Sequence, residues 1–306
     1  MQNTIFMFSG QGSLMPEAGR RLYARLPQFK ATIDECSDYC GESLADIIWG
    51  CGRACRKNDP YYDHIATFAA SLGLFRCLET SGIKPVLMMG HSLGEICATI
   101  CAGALSTKDG FELISKRGVF FRANRKKNNA DMVALIGEKE KIENSIRFFQ
   151  SDHEIYPVNY NTANQVVVAI DSRLIPALRS ICQTHGIKTV QLHIGNGCHC
   201  PFVNEIDTPL RAAINGIEFK NPKIPVFSAN SIMIMSDRDD IKKNLLNHLL
   251  GPVNWFRSIE FIAQQSDCFF VEAGLSKILL GIVRRINRSL HVGLGYSLVD
   301  AGVATH

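Results

Sequence analysis

The stretch "MMGHSLGEICAT", residues 88 to 99, constrains the fold more tightly than any other part of the chain. An apolar run enters it, and a segment of Ala, Cys, Ile and Gly with little polarity leaves it. That order predicts a strand, a sharp turn, and a buried helix packed closely on a sheet. The turn itself is Gly90-His91-Ser92-Leu93-Gly94, a G-x-S-x-G. Small flanking residues let the strand reverse abruptly, so that the serine hydroxyl stands exposed at the head of the helix. Glycines can also serve close packing alone, but a strand before and a helix after favour Ser92 as a nucleophile. The helix starts here, so its first free N–H groups and the positive end of its dipole face the serine. The N–H of Leu93 is the natural donor to a developing oxyanion.

A second Gly-rich turn, "SGQGS", follows a strand predicted at residues 3–8. It lacks the G-K-[ST] ending of a phosphate-cradling loop and suits a second oxyanion donor instead. Ile65, Phe68, Ala69, Leu72 and Phe75 recur at helical spacing in a segment that stops at Gly82. Ser106-x-x-Asp109 caps a further helix that runs to about Arg122. From Asp131 to about Ile194 the order becomes strand, helix, strand, strand, helix, strand, the ferredoxin-like βαββαβ arrangement. The expected organisation is α/β: a large α/β-hydrolase-like domain with a mainly parallel sheet, interrupted by a small ferredoxin-like insertion. The large domain would take residues 1–130 and 196–306, and the insertion residues 131–195.

With 46% hydrophobic and 20% charged residues, the chain has the composition of an ordinary globular protein. Its formal charge of +4 is too mild to suggest nucleic acid as a partner. No run approaches the ~20 apolar residues needed to cross a bilayer. The N-terminus also lacks the basic start and long apolar stretch of a signal peptide. A cytoplasmic protein without a membrane partner is expected. Eleven cysteines is an odd count in a chain too long to need staples, which fits reduced thiols. Cys36, Cys40, Cys51 and Cys55 form two C-x3-C pairs, a spacing that structural zinc can use. No Gly-rich knuckle surrounds them and "DECSDYCGESL" reads as a helix, so they read as small core residues and no metal is expected.

A nucleophilic serine needs a base, and nine histidines compete. His91 adjoins Ser92, a position from which an elbow usually directs the ring elsewhere. His64, His153, His185 and His306 fall in predicted surface helices, loops or the tail, and His193 lies inside a predicted strand. His199 and His248 remain. His199, in "GNGCHCPF" just beyond a strand, sits on a loop at a sheet rim and is favoured over His248.

The motifs "FMFSGQGS", "GHSLGEICATICAGALS", "KRG", "VNYNTANQVVVA", "CHCPFV" and "GPVNWFRSIEF" occur in that order. With them the chain resembles, over nearly its whole length, the malonyl-CoA:acyl carrier protein transacylases, a group that includes the free-standing acyltransferases of polyketide synthases. The resemblance implies a ping-pong transfer with no bound cofactor. Ser92 would attack the thioester of an acyl-CoA with His199 as base, and the N–H groups of Gln11 and Leu93 would hold the oxyanion. The phosphopantetheine thiol of an acyl carrier protein would then take the acyl group. A backbone carbonyl at His248, where relatives usually have Gln or Asn, would orient the catalytic histidine. Arg117, in "ISKRGVFF", matches the arginine that grips the free carboxylate of malonyl groups, for which a guanidinium offers a two-pronged hydrogen bond. Without the resemblance, Arg117 reads as an exposed basic residue near a helix C-terminus. Asn161, His91 and Cys198 complete the implied substrate-binding set. Cys198 stands where relatives carry Phe or Ser, which leaves the pocket size open.

Two other functions use the same residues. A hydrolase clearing acyl groups from carrier proteins would share Ser92 and His199, but an apolar acyl chain would leave a buried guanidinium unpaired. A non-catalytic docking module would have no use for an intact elbow. Basic clusters at Arg122, Arg125, Lys126 and Lys127, and at Arg284, Arg285 and Arg288, could steer an acidic carrier protein. The first borders the expected domain junction and is the favoured docking surface.

Overall fold

The computed structural model describes residues 2–49, 59–192, 194 and 196–303. Cys51 and Cys55 of the paired cysteines, and His193 and His306 among the candidate bases, lie outside the described residues. The strands are β1 (Asn3–Phe8), β2 (Leu87–Gly90), β3 (Ala130–Ile136), β4 (Ile155–Thr162) and β5 (Gln165–Asp171). They continue with β6 (Lys188–Gln191), β7 (Val226–Ser228), β8 (Met233–Met235), β9 (Cys268–Glu272) and β10 (His291–Leu294). A six-stranded sheet runs β10-β9-β1-β2-β7-β8, and only its β7–β8 edge pair is antiparallel. A four-stranded sheet runs β4-β5-β3-β6 and is antiparallel throughout. The chain is thus α/β with a mainly parallel sheet and a βαββαβ unit, as its sequence pattern implies.

Side chains alternate across a strand, and each sheet uses both of its faces. In β1, Phe6 and Phe8 enter the largest core while Ile5 and Met7 enter a second one on the other face. A parallel sheet covered on both sides needs apolar residues at every position, hence the unbroken run "IFMF". In the small sheet, Val133, Leu135, Val166, Val168 and Ile170 pack under the helices Lys139–Gln150 and Ile175–Thr184. Their alternates Met132, Ala134, Val167 and Ala169 join the largest core instead. That second face walls a cavity above the carboxyl ends of β1 and β2.

Several ends differ from the sequence pattern. The last strand of the small sheet stops at Gln191 rather than Ile194. The helix after Ser92 stops at Cys101, and Gly103 then turns the chain with φ 82°. The segment "DECSDYCGESL" is not one helix: the helix Pro27–Cys40 ends at Gly41, left-handed at φ 69°, and a short helix Leu44–Ile48 follows. His64, expected on a surface helix, is fully buried. Its helix, Pro60–Thr80, is enclosed by the helices Pro27–Cys40, Leu93–Cys101 and Thr107–Arg125. Among the described residues no helix is long and apolar enough to cross a membrane, and no cluster of His, Cys, Asp and Glu could hold a metal ion.

Candidate active site

Parallel neighbours β1 and β2 pair Phe8 with Gly90, so the turns that follow them leave the sheet at the same level. A Cβ on Gly90 would lie 2.0 Å from the carbonyl carbon of Gly94, and one on Gly94 would lie 2.0 Å from the carbonyl oxygen of Phe8. Backbone meets backbone at both points, and neither can yield as a flexible side chain would. Ser92 itself has φ 54° and ψ −118°, a conformation that costs a non-glycine residue on the order of 1–3 kcal/mol. The turn is held by Gly94 N donating to His91 O (3.0 Å) and Glu95 N donating to Ser92 O (2.9 Å).

Ser92 Oγ lies 2.7 Å from His199 Nε2. His199 Nδ1 faces two carbonyls, Gly251 O at 2.9 Å and His248 O at 3.1 Å. Carbonyls only accept, so Nδ1 carries the hydrogen and Nε2 is left free to accept from the serine hydroxyl. Burial above all, with the nearby positive Arg117 adding to it, pulls the His199 pKa down to about 3. The ring is therefore neutral across the working pH range. His248 reaches this site through its carbonyl, and its own ring stands edge-on to that of His199 with centroids 5.3 Å apart. Gly251 was not legible as a participant, because a main-chain oxygen leaves no mark on residue type. Asn230 Nδ2 donates to that same Gly251 oxygen at 2.6 Å and to Pro252 O at 3.1 Å.

The His91 ring is not directed away from the site. It borders the cavity, packs against Trp255, and sets Nε2 3.0 Å from Asn161 Oδ1 on β4. This contact joins the two sheets beside Ser92.

Arg117 is fully buried in the helix Thr107–Arg125, not exposed near its end. Its guanidinium stacks over Phe121 at 4.3 Å, and Nη1 faces the His64 ring, 3.4 Å from Nδ1, the nitrogen left to accept when Nε2–H donates to Gln11. Nε and Nη2, which lie along one edge of the group, have no hydrogen-bond partner among the described residues. Burial first, and Arg117 second, hold the His64 pKa well below its ordinary value. His64 Nε2 also lies 2.7 Å from Gln11 Oε1. One residue earlier, Asp63 accepts a hydrogen bond from Gly12 N at 2.9 Å, and burial pushes its pKa up to about 6. Two neighbours on one helix thus hold the Gly10–Gly12 turn, by main chain and by side chain. The pattern does carry a trace of this: His64 shares a helical stripe with Phe68 and Phe75.

The cavity over the site has a volume of about 430 Å³, and its walls include Gln11, Ser92, Asn161, Cys198 and His199. Arg117 is not among the lining residues, but Cys198 lies within its electrostatic reach. A second hollow of about 810 Å³ is bordered by Lys188, Arg284, Arg285 and Arg288, and Arg285 borders both. None of Arg122, Arg125, Lys126 and Lys127 borders either hollow. Arg122 is paired with Asp59 and Lys127 with Glu205, each at 2.8 Å.

A family model described as an acyl transferase domain matches residues 5–286. The malonyl CoA-acyl carrier protein transacylase of Salmonella typhimurium is 30% identical over 289 residues, covering 94% of this chain and 93% of that protein. The enzyme of the same description from Bacillus subtilis is 27% identical over 293 residues, covering 95% and 92%. Among solved structures, the Coxiella burnetii malonyl CoA-acyl carrier protein transacylase superposes with a TM-score of 0.91 at 27% identity, covering 99% and 97%. A malonyl-transacylase in complex with its type II polyketide synthase acyl-carrier protein superposes at 0.92, also at 27% identity, with both chains fully covered.

Proposed function

This chain belongs to the acyl transferase domain family, and from that premise we propose that it transfers a malonyl group from coenzyme A to the phosphopantetheine thiol of an acyl carrier protein. Ser92 Oγ attacks the thioester carbonyl while His199 Nε2 takes the hydroxyl proton. The charge that appears on the imidazole strengthens its Nδ1–H bonds to His248 O and Gly251 O. The N–H groups of Gln11 and Leu93 hold the tetrahedral oxyanion. Collapse expels the coenzyme A thiolate, which takes the proton from His199 and leaves an acyl-serine. The carrier thiol then repeats the sequence in reverse, giving its proton to His199 and attacking the ester.

The choice of a dicarboxylic acyl group rests on one observation: a buried arginine with two adjacent donors unpartnered. Stripping a guanidinium of water costs several kcal/mol, which Phe121 and His64 offset only in part. A carboxylate meeting Nε and Nη2 together offsets that cost, whereas an uncharged acyl chain does not. Asn161, His91 and Cys198 complete the walls around the acyl group. The same feature counts against an acyl hydrolase acting on apolar chains. The acidic carrier docks, on this reading, over Lys188, Arg284 and Arg288, because that hollow shares Arg285 with the cavity of Ser92. The cluster around Arg125 to Lys127, favoured on sequence grounds, has no such connection. A coenzyme A substrate and free thiols at Cys97, Cys198 and Cys200 fit a cytoplasmic setting.

Incubation with radiolabelled malonyl-CoA tests the chemistry. Label should become covalently bound, and Ser92→Ala should abolish it while the folded circular dichroism spectrum is kept. Labelling that persists in the variant would remove Ser92 from the mechanism.

A further inference from the structure

Glu95 stands three residues beyond Ser92, on the first turn of the same helix, with its side chain fully buried. Nothing in the acyl-transfer chemistry uses it. Its Oε2 accepts the Ala229 N–H at 2.9 Å, just past β7, and its Oε1 accepts Asn244 Nδ2 at 2.6 Å. Both links lead to the oxygens that face His199. Asn244 lies one helical turn before His248, whose carbonyl accepts from His199 Nδ1. Ala229 precedes Asn230, whose side chain holds the Gly251 carbonyl. Ser228 closes the circuit: its Oγ donates to Asn244 Oδ1 at 2.8 Å and accepts from Asn230 N at 3.2 Å.

We propose that Glu95 is a positioning residue for His199: its carboxylate ties the helix that carries Ser92 to the two carbonyls that orient the imidazole. The inference rests on Ser92 and His199 acting as the catalytic pair. The chemistry of the network requires the anion. A carboxylate offers only acceptors, and two donors point at it. Protonation turns one oxygen into a hydroxyl, a weaker acceptor that must also find an acceptor for its own proton, so the link made at that oxygen weakens. Burial opposes the anion, and no charge offsets it, since the groups facing Glu95 are Asn244, Ser228 and the Ala229 N–H. The carboxyl is accordingly pushed up to about 7. The histidines of the site, His91, His199 and His248, are all held below their ordinary value, mainly by burial. An acid limb at about 7 therefore belongs to Glu95 and not to the histidine base, while Asp63 under the Gly12 turn, pushed up to about 6, would give a separate, lower limb that Glu95→Gln leaves in place.

The test is the single-turnover rate of Ser92 acylation by malonyl-CoA, measured from about pH 5 to pH 9. The wild-type rate should fall on acidification through about 7, the value at which Glu95 takes its proton. Glu95→Gln should abolish that limb and lower the plateau by about ten- to a hundredfold, the scale of a misplaced catalytic group. Its label should still map to Ser92. Asn230→Ala, which leaves Glu95 intact, should lower kcat to a similar extent with little change in KM and keep the limb. If Glu95→Gln fails to fold, Asn230→Ala decides alone, and wild-type kcat in that variant overturns the proposal. A limb of unchanged midpoint in Glu95→Gln also overturns it, provided the label is on Ser92. Label elsewhere would instead overturn the catalytic pair.

Discussion

Arg117 shows how far the role of a single residue depends on its surroundings. The same side chain on the surface would be one solvated charge among the thirty-three lysines and arginines of the chain. Buried, stacked on Phe121, and facing His64 on one side only, it keeps two adjacent donors for the carboxylate proposed above. A hydrogen bond to a charged group is worth about 1.5–3 kcal/mol. Replacing Arg117 by Ala should therefore reduce the preference for malonyl-CoA over acetyl-CoA by about ten- to a hundredfold, read as the ratio of the two acylation rates. Unchanged discrimination would place the carboxylate elsewhere. His64, whose Nε2 lies 2.7 Å from Gln11 Oε1, is the companion residue that residue type alone would not have pointed to. Its neutral ring tolerates the cation beside it because burial and that same cation both depress its pKa.

The elbow is the element on which the site depends, and its tolerance is limited by backbone contacts. The helix Leu93–Cys101 can approach β1 only because Gly94 presents no Cβ to the Phe8 carbonyl. Gly94→Ala must push helix and strand apart, at a cost of about 1–3 kcal/mol or more. Because Ser92 rides on that helix, acylation should fall by at least about tenfold as well. Gly281, in the helix Ile278–Ile286, makes the control, because a Cβ added there would meet nothing within 4 Å. Gly281→Ala should leave stability unchanged or raise it by up to about 1 kcal/mol, since alanine loses less entropy in a helix. Urea unfolding midpoints of the two variants decide the matter; equal midpoints would show that the close approach at Gly94 is not what limits the element.

On the scale of the whole molecule, the site exists because two sheets meet. The parallel sheet delivers Gln11 and Ser92 at the ends of β1 and β2, and the antiparallel sheet supplies the apolar wall and Asn161. Basic residues from both, Lys188 of β6 and Arg284 and Arg288 of the large layer, edge the adjoining hollow. On the proposed reading, a carrier protein docked there reaches the cavity of Ser92 past Arg285, which borders both hollows. Arg284→Glu with Arg288→Glu should slow transfer to the carrier, and more at low salt, where charges act beyond the ~10 Å reached at 0.1 M. Acylation of Ser92 by malonyl-CoA should change much less. Equal losses in both half-reactions, or none in either, would move the docking surface away from this cleft.

Residue order alone carried the elbow, because a strand, a G-x-S-x-G and a buried helix are local signals set by sterics and hydrophobic period. It carried the βαββαβ unit for the same reason. It also singled out His199, whose Nε2 lies 2.7 Å from Ser92 Oγ across a separation of 107 residues. What it could not carry were contacts whose partners lie far apart in the chain or have no side chain to read. The carbonyls of His248 and Gly251, the enclosure of His64 by three helices, and the burial of Arg117 arise only when separate segments pack. The same holds for Glu95 and Asn244, 149 positions apart and joined at 2.6 Å. Local sequence dictates the turn that presents a serine; the packing of distant segments, which sets burial and hydrogen-bond partners, decides what surrounds it.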